Sequence, residues 1–570
     1  MSEPEQVEGE SAPNAEAEGG AKAGKATEGD AERTHEVAKK KGGAGVAKAK
    51  DAKPDAPAED AAPSGALPAK VAYPLAVLTG FLYFLAFPGM DIWPLSFVAL
   101  APLIVALRGQ TARRALGLGW AAGFTMTMFG FYWLLNMLKV FSGFGPVLCF
   151  VFMSILCGYQ AGRIAMAGWL YGRAERRGWP AAPVFALAFV ASELLFPLLF
   201  PWYYGATVHN AWVFAQVADL GGGYLVGLML VAANLGVAEL WLAHRDQRPR
   251  DRRLLIVAAA APILALAYGY PRMRSIDAQA AAAEPVKVGI VQGNQPLIGR
   301  RNALKVHLAR TAELKQKGVD LVIWSEGATG MSNRDTPDYD EVRRVITDRL
   351  GVPTIVGGML SKRVGGHYTA FNSALLADKS GKIIGRYDKQ YLLAFGEYLP
   401  FGETFPKLYD YSPNSSRFSS GKSLEPLIFG EHRIAALICY EDILPDFVNK
   451  MVRHASPDLL VNLTNDAWFG DSTEPWIHMA LAKMRAIEHR RYLVRSTNSG
   501  VSVIIDPVGR TPLTSGTFKE EALIGVAKWM KGTTLYEIIG DVPWYLAGAA
   551  IFLMAFLRRD QVMARLGKAA

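Results

Sequence analysis

The feature that most constrains this chain is a succession of long apolar segments that begins near Tyr73 and continues to about residue 270. Seven segments are of membrane-spanning length, some marginally short, at residues 72–89, 93–108, 115–138, 145–172, 180–200, 222–243 and 253–270. An eighth, at 544–557, follows a long mixed region. Seven buried core helices in succession without amphipathic faces would be unusual in a soluble protein. The sequence therefore predicts a polytopic α-helical membrane protein with about eight spans, seven within 69–271 and one within 541–560.

The first 68 residues have a different composition. They consist mainly of Ala, Gly, Glu, Lys and Pro, and the first aromatic residue of the chain is Tyr73. Such a segment cannot bury enough apolar surface to offset its chain entropy, so we predict a disordered tail over 1–68. Its lysine-rich part lacks the interleaved aromatic residues of a single-strand binder, and we expect no nucleic-acid partner. There is no apolar segment near Met1, so we do not predict a cleaved signal peptide.

Basic residues are concentrated in alternate loops between the apolar segments. Apart from Lys139, the intervening loops have almost none. By the positive-inside rule, both termini are predicted to be cytoplasmic and residues 271–540 to lie on the other side of the membrane. The formal net charge of +9 is then largely a signal of topology. The basic residues that carry it are Arg108, Arg113, Arg114, Arg173, Arg176, Arg177, Arg245, Arg248, Arg250, Arg252, Arg253, Arg558 and Arg559.

Between the seventh and eighth segments, short apolar runs typical of strands alternate with longer amphipathic runs typical of helices. This pattern predicts an α/β domain over about 285–530. Short apolar runs predict strands at 286–291, 320–324, 353–358, 370–376, 382–387, 433–439, 458–463, 492–496 and 501–506. Longer amphipathic runs predict helices at about 299–317, 337–349, 442–454 and 474–490.

Three of these predicted strands end in residues that can carry chemistry: Glu326, Lys389 and Cys439. Each residue alone is more often a surface charge or a small buried side chain. Together they offer a base for a thiol, a cation for a developing oxyanion and a nucleophile. A helix that begins at about Asp442 would direct its N-terminal dipole toward Cys439, so we expect a lowered thiol pKa.

The remaining cysteines and the histidines suggest no competing site. Cys149 and Cys157 lie in one predicted membrane helix, which leaves Cys439 as a free thiol. A Cys-His pair is conceivable, but His432 lies in the strand that leads to Cys439, and nothing pairs the more distant His478 with it. No metal-ligand spacing and no nucleotide-binding fingerprint is present, so we predict neither a metal nor a cofactor.

The order Glu326, Lys389, Cys439 resembles that of the nitrilase superfamily. The resemblance covers about residues 285–530 and includes residues 291–294, 371–373 and 465–470. It implies an α-β-β-α sandwich that carries a Glu-Lys-Cys triad.

The combination of membrane segments and nitrilase-like domain resembles the apolipoprotein N-acyltransferase family. The short sequence motifs that carry this resemblance lie at residues 85–88, 93–95, 192–193, 200–202, 216–222, 395–397, 439–441, 465–468 and 484–488. Two phrases depart from the common pattern, with Ser325 and Ala394 where many members have proline. Some members also carry a tryptophan a few residues after the phrase that ends at Asn294, and residues 295–300 have none.

This resemblance implies a two-step acyl transfer with no cofactor. Cys439 would take the sn-1 acyl chain of a phospholipid, usually phosphatidylethanolamine, and pass it to the α-amine of a diacylglyceryl-cysteine on an apolipoprotein. The implied location is the bacterial inner membrane, with a periplasmic catalytic domain and a monomeric protein. The supporting residues that it implies are Glu397 beside Lys389, Tyr440 and Glu441 at the pocket, and Asn372 behind them.

Two other functions use the same residues. A membrane-tethered amidase would apply the triad to a small amide, but it has no need of seven preceding spans. A non-catalytic transporter or receptor would leave the three filled triad positions without a purpose. It would also be expected to carry charges along a path through the membrane, which this sequence lacks apart from Glu193 and Asp219, and we expect those two acids near the outer interface.

Overall fold

The computed structural model describes residues 65–296, 302–330, 332–364, 367–394, 396–402, 404–411 and 416–569. All but the last four residues of the predicted tail lie outside this part of the chain, as do Phe395 and positions 297–300, where the tryptophan was sought. The N-terminal region is helical throughout. Its helices are α1 (Ala69–Ala86), α2 (Ala101–Leu107), α3 (Ala112–Gly130), α4 (Leu134–Ser142), α5 (Pro146–Gln160), α6 (Gly162–Arg176), α7 (Ala181–Leu195), α8 (Trp212–Ala215), α9 (Ala218–Arg245) and α10 (Arg252–Ala282).

Four helical segments in the described residues are long and apolar enough to cross a membrane: α1, α5 with α6, α9 and α10. A fifth is reached if two C-terminal helices, α17 (Val542–Phe556) and α18 (Arg559–Ala569), count as one bent span. The other predicted segments are interrupted. For example, segment 93–108 contains a 3-10 turn, Trp93–Phe97, before the short α2, and segment 115–138 divides between α3 and α4. Helix length and composition thus support membrane character without giving the predicted count of about eight.

Glycines allow two of these helices to approach closely. A Cβ atom on Gly119 would lie 2.3 Å from the carbonyl oxygen of Ile164, and one on Gly123 would lie 2.8 Å from that of Ala161. Larger side chains would therefore separate α3 from α6.

The second region contains the predicted α/β domain. Its strands are β1 (Pro285–Gln292), β2 (Leu321–Trp324), β3 (Ser332–Arg334), β4 (Thr354–Val364), β5 (His367–Ala377), β6 (Ile383–Asp388), β7 (Leu427–Phe429), β8 (His432–Ile438), β9 (Leu459–Thr464), β10 (Leu493–Thr497), β11 (Val503–Ile505), β12 (Leu513–Thr514) and β13 (Glu521–Lys528). Its helices are α11 (Ala303–Gln316), α12 (Asp340–Val345), α13 (Leu408–Tyr411), α14 (Pro445–Ala455), α15 (Glu474–His489) and α16 (Leu535–Ile539). All nine predicted strands are present; β3, β7, β12 and β13 were not predicted.

The strands form two sheets with related topologies. In the first, the order is β13-β1-β2-β4-β5-β6, with β3 beside β4; in the second, it is β12-β11-β10-β9-β8-β7. Three central strands of each sheet are parallel, β1-β2-β4 and β8-β9-β10, and antiparallel strands flank them. Parallel strands direct their carboxyl ends to one edge of a sheet, which is where α/β proteins present reactive side chains.

Burial shows four layers. One apolar cluster joins the two sheets and the inner faces of α14 and α15, through residues such as Ile323, Leu437 and Val448. A second cluster covers the other face of the first sheet, where Leu314 of α11 and Val342 of α12 contact Val322. The order helix, sheet, sheet, helix is the predicted α-β-β-α sandwich.

The sandwich is joined to the N-terminal helical region mainly through α15 and α9. Arg490 pairs with Asp219 at 2.8 Å, and Glu488 accepts a hydrogen bond of 2.9 Å from the backbone N–H of Gly223. The hydroxyl of Tyr203 donates to the carbonyl of Leu481 at 3.1 Å. Asp219 thus lies at the junction, whereas Glu193 is buried among the helices in an ion pair of 2.8 Å with Arg163.

Candidate active site

The three residues singled out from the sequence follow three strand ends. Glu326 lies two residues beyond β2, Lys389 directly follows β6, and Cys439 directly follows β8. Because β6 is antiparallel to β5, and β5 to β4, strand β6 runs in the direction of β2 and ends at the same edge of the first sheet. The second sheet contributes Cys439 from across the sandwich.

The turn that carries Cys439 differs from the sequence prediction. Strand β8 ends at Ile438, Cys439 begins a 3-10 turn that continues to Ile443, and α14 begins at Pro445 instead of Asp442. Cys439 has φ +56°, a left-handed conformation that is costly for a residue with a Cβ. The side-chain amide of Asn462 donates to its carbonyl oxygen at 2.9 Å and helps to hold this geometry.

The expected lowering of the Cys439 pKa is wrong. Burial raises the pKa of this thiol well above its usual value, and the negative charge of Glu326 adds to the effect, while Lys389 opposes both. A short 3-10 turn supplies too little dipole to reverse the cost of desolvating a thiolate. The resting nucleophile is therefore a neutral thiol that needs a base.

Lys389 is held between two carboxylates. Its Nζ lies 2.7 Å from Oε2 of Glu397 and 3.7 Å from Oε1 of Glu326. Its side chain is 1% exposed, so this ion pair is shielded from water. Burial alone would lower the pKa of Lys389, but its interactions with Cys439, Glu397 and Glu326 outweigh burial and raise that pKa well above the usual value.

Asn372 joins the two carboxylates. Its side-chain amide donates to Oε1 of Glu326 at 2.6 Å and to Oε1 of Glu397 at 3.0 Å. The backbone N–H of Leu393 donates to Oε2 of Glu397 at 2.9 Å. The structure thus brings Glu326, Lys389, Glu397 and Asn372 into one hydrogen-bonded set, which we call the lysine cluster.

Glu441 is fully buried behind this set and organises the loop that follows Lys389. It accepts hydrogen bonds from the hydroxyl of Tyr387 at 2.9 Å and from the backbone N–H groups of Gln390 at 2.7 Å, Tyr391 at 3.1 Å and Ile438 at 2.7 Å. Burial raises its pKa to about 7, although these donors favour the charged form.

Tyr440 lies beside the cluster. The Lys389 Nζ is 5.7 Å from the centroid of its ring, and its hydroxyl donates to the carbonyl of Leu392 at 3.2 Å. Its ring is therefore a wall of the site, oriented by the same loop that Glu441 fixes.

An apolar pocket opens beside Cys439 and crosses from the sandwich into the helical region. The sandwich contributes Leu393, Tyr440, Phe469 and Leu481, among others. The helical region contributes six residues between α3 and α9: Phe131, Trp133, Leu199, Phe200, Pro201 and Trp202. Its walls are mostly apolar, as a site for a hydrocarbon chain requires, and its volume is about 50 Å³, so an acyl chain can enter only if the walls move apart.

A second group of charged residues lies on the other side of the Cys439 turn. Arg495 pairs with Asp442 at 2.7 Å and with Asp466 at 3.1 Å. His478 contacts the same two carboxylates, Asp442 at 2.9 Å through Nε2 and Asp466 at 3.2 Å through Nδ1. With Glu474, these residues form what we call the arginine cluster.

Protonation makes the arginine cluster nearly neutral. Burial and Arg495 lower the pKa of His478, but Asp442 and Asp466 outweigh them and raise it to about 9. Burial, with the charge of Asp466, raises the pKa of Glu474 to about 8. Asp466, Glu474 and His478 lie close enough to share a cation, with ligand atoms within 4.8 Å of one another. Arg495 and the His478 imidazolium already compensate these carboxylates, and the absence of a metal stays a prediction.

Sequence reasoning missed the pocket walls and the arginine cluster. Phe200 and Trp202 were noted only as part of a family phrase, and His478 and Glu474 both line the pocket beside Cys439. The acidic residues Asp442, Asp466 and Glu474 could have indicated the arginine cluster, because acids that become buried in a fold require nearby cations.

Comparison with known proteins assigns both regions. The family model for the apolipoprotein N-acyltransferase N-terminal domain matches residues 79–236, and the carbon-nitrogen hydrolase model matches 287–528. The apolipoprotein N-acyltransferase of Geobacter metallireducens is 31% identical over 505 residues, which cover 86% of this chain and 96% of that protein. The corresponding protein of Azotobacter vinelandii is 33% identical over 517 residues, 87% and 96% of the two chains, and that of Pseudomonas putida is 31% identical over 477 residues, 81% and 92%.

These relatives align with the helical region and the sandwich together. The chain belongs to the apolipoprotein N-acyltransferase family.

Proposed function

We propose that this chain transfers a fatty acyl chain from a phospholipid to the amino terminus of an apolipoprotein. The observation that carries the proposal is the apolar pocket beside Cys439, which is walled by the sandwich on one side and by the helical region on the other. Both substrates are held in a bilayer by their hydrocarbon chains. A nucleophile at the base of such a pocket can meet an ester that never leaves the lipid phase.

The first step forms a thioester. Glu326 takes the proton of the Cys439 thiol as the sulfur attacks the sn-1 ester carbonyl of the donor. Lys389 stabilises the tetrahedral oxyanion, because its ammonium group is already held in place by Glu397. The C–O bond then breaks, the departing glycerol oxygen takes the proton from Glu326, and a lysophospholipid leaves.

The second step consumes the thioester. The neutral α-amine of a diacylglyceryl-cysteine attacks the same carbonyl, and Glu326 takes a proton from the nitrogen. The C–S bond breaks, an amide forms, and the thiolate of Cys439 recovers the proton. A neutral resting thiol with a raised pKa fits this cycle, because Cys439 carries a proton at its beginning and at its end, and Glu326 holds a proton only within each step.

The proposed acyl donor and oligomeric state rest on the resemblance to the family. Phosphatidylethanolamine is the proposed donor, and the chain is proposed to act as a monomer without a cofactor. Glu397, Asn372, Tyr440 and Glu441 are proposed as supporting residues, on the strength of their contacts with Lys389, with Glu326 or with the loop that follows Lys389.

The membrane arrangement is also a proposal. We propose about eight spans within 69–271 and 541–560, an inner-membrane location and a periplasmic sandwich over 285–530. Arginines clustered in alternate loops support it, as does the continuous apolar surface of helices such as α10, where Ile256 and Ile263 are exposed. The junction between Asp219 and Arg490 would then lie near the outer surface of the bilayer.

An acyl-transfer assay tests the proposal. The full chain in detergent is incubated with phosphatidylethanolamine and a diacylated lipopeptide, and the lipopeptide mass is measured. We expect a gain of one acyl chain with the wild type and with Cys157→Ser, a matched control inside a helix, and none with Cys439→Ser. Hydrolysis of a small amide without any transfer to the lipopeptide would support an amidase instead.

A further inference from the structure

A cleft that shares no lining residue with the Cys439 pocket lies between α14 and the first turn of α17. Its volume is about 490 Å³, and Asp446, Asn449, Lys450 and Arg453 of α14 face Asp541 and Tyr545 across it. We call it the α14–α17 cleft.

The cleft lies where a charged surface changes into an apolar one. Leu535 and Ile538 of α16 are 48% and 63% exposed, and Val542 and Leu546 of α17 are 60% and 66% exposed. The helix α17 is part of a candidate membrane span. Apolar side chains of this exposure beside charged groups are typical of a protein surface at the level of lipid headgroups.

The cleft carries charges of both signs, from Lys450, Arg453, Asp446 and Asp541. In the described part of the chain, the side chains of Lys450 and Arg453, which lie one turn apart, form no ion pair, and neither does Asp446. Asp541 accepts a hydrogen bond of 3.0 Å from the hydroxyl of Tyr536. A ligand that carries an anionic group and a cationic group would match these side chains.

A buried amide gives an independent indication of a ligand. Asn449 is only 5% exposed, and its Nδ2 donates to the carbonyl of Tyr536 at 3.5 Å. Its Oδ1 has no hydrogen-bond donor among the described residues, although the residue lines the cleft. An unsatisfied buried acceptor destabilises the folded protein, and an N–H group of a bound molecule would remove that cost.

We propose that the α14–α17 cleft binds the headgroup of a phospholipid that carries a phosphate and a primary amine. Lys450 and Arg453 bind the phosphate, and the amine donates to Oδ1 of Asn449 and pairs with Asp446 or Asp541. The acyl chains of this lipid lie along the exposed face of α17. The site is additional to the one where Cys439 reacts, and it rests on the proposed function only for the position of α17 in a bilayer.

The test counts lipids on the full chain. Delipidated Cys439→Ala protein in detergent is titrated with dioctanoyl phosphatidylethanolamine, and bound lipids are counted by native mass spectrometry. We expect Lys450→Ala/Arg453→Ala to lose one bound lipid, or to bind it at least tenfold more weakly. The matched control is Arg343→Ala/Arg344→Ala on α12, which should bind as the parent does. An unchanged lipid count and affinity in the cleft variant would overturn the proposal.

Two further ligands test the chemistry. Phosphatidylglycerol keeps the phosphate and lacks the amine, so it should bind the cleft more weakly, and Asn449→Leu should reduce that difference. Free phosphoethanolamine lacks acyl chains and should compete poorly. Equal binding of phosphatidylglycerol would contradict the proposed role of the amine. Equal binding of free phosphoethanolamine would contradict the proposal that the ligand is a lipid.

The thermal unfolding midpoint of each variant, measured without lipid, separates lost binding from lost folding. The lipopeptide assay on the Cys439 wild type is run in parallel. If that assay fails while the cleft variant still loses one lipid, the proposed function fails and the headgroup site stands.

Discussion

The lysine cluster and the arginine cluster lie on opposite sides of the Cys439 turn and use the same kinds of side chain. In the lysine cluster, two carboxylates share one ammonium group, which leaves an excess negative charge beside the thiol. In the arginine cluster, two aspartates meet a guanidinium and an imidazolium, and the raised pKa of Glu474 keeps that third acid neutral at pH 7.

The difference in charge balance separates reaction from support. An excess carboxylate can accept a proton from Cys439 and return it, which is the task of a general base. A cluster with balanced charges does not act as a proton acceptor. It instead fixes the turn, because Asp442 lies three residues after Cys439 and pairs with Arg495. Four predictions test this division, beginning with the largest effect.

Glu326→Gln should lower the rate of acyl transfer about 10²- to 10⁴-fold, because it removes the base while keeping the hydrogen-bonding shape. The measurement is single-turnover release of lysophospholipid. Glu313→Gln, an exposed glutamate on α11, is the control. If Glu326→Gln turned over at the control's rate, another group would have to be the base.

Arg495→Met should destabilise the fold by about 3–5 kcal/mol, because it leaves Asp442 and Asp466 buried with only His478 to compensate them. Arg510→Met is the matched control, since Arg510 pairs with Asp277 at a partly exposed site where such pairs contribute about 0–1 kcal/mol. Thermal unfolding midpoints measure both. Equal midpoints for the two variants would remove the supporting role of the arginine cluster.

Glu397→Gln should lower the acyl-transfer rate about 10- to 100-fold, the equivalent of losing one charge-assisted hydrogen bond to Lys389. Lys389 would then be oriented by Glu326 alone, which would compete with the role of Glu326 as a base. Glu397→Asp keeps the charge and should recover part of the rate. No recovery with aspartate, together with a lowered unfolding midpoint in both variants, would indicate a structural role only.

The fourth prediction concerns the dependence of stability on pH. His478 has its pKa raised to about 9, so its contribution to stability is complete below the unfolded value of 6.5 and is lost as pH rises through 9. Glu474 keeps its proton up to about pH 8 in the folded protein and releases it near 4.5 when unfolded, so stability also falls between those values. Both groups predict a lower unfolding midpoint at higher pH.

Variants separate the two contributions. His478→Gln should remove the loss of stability between about pH 6.5 and 9, and Glu474→Gln the loss between about 4.5 and 8. The midpoint difference between wild type and each variant is measured at pH 5, 7 and 9. A difference that is constant across these values would contradict the assigned protonation states.

Much of the fold could be predicted from the sequence. The alternation of apolar runs gave all nine predicted strands, because buried strands such as β9 consist of continuous apolar residues. The edge strands β7 and β12 were missed because they are only three and two residues long and depend on a neighbour for their conformation. The boundary at Asp442 was wrong because Pro445, which suits the first turn of a helix, begins α14 instead.

The site was predictable in its residues and less so in its electrostatics. Glu326, Lys389 and Cys439 follow strand ends that a periodicity argument can locate. The sign of the Cys439 pKa shift was not accessible, because it depends on burial and on the distance to Glu326, and both are properties of the folded chain. The helical wall of the pocket, from Phe131 to Trp202, lies more than 200 positions before Cys439, and only the tertiary structure brings the two together.

The most direct test of the central claim is the intact mass of the full chain after incubation with phosphatidylethanolamine and no acceptor. The account predicts a hydroxylamine-labile gain of one acyl chain on the wild type and none on Cys439→Ser. Addition of a diacylated lipopeptide should then return the wild type to its original mass. If no phospholipid yields an adduct while transfer to the lipopeptide still proceeds, the thioester at Cys439 is not an intermediate, and the mechanism proposed for this site is wrong.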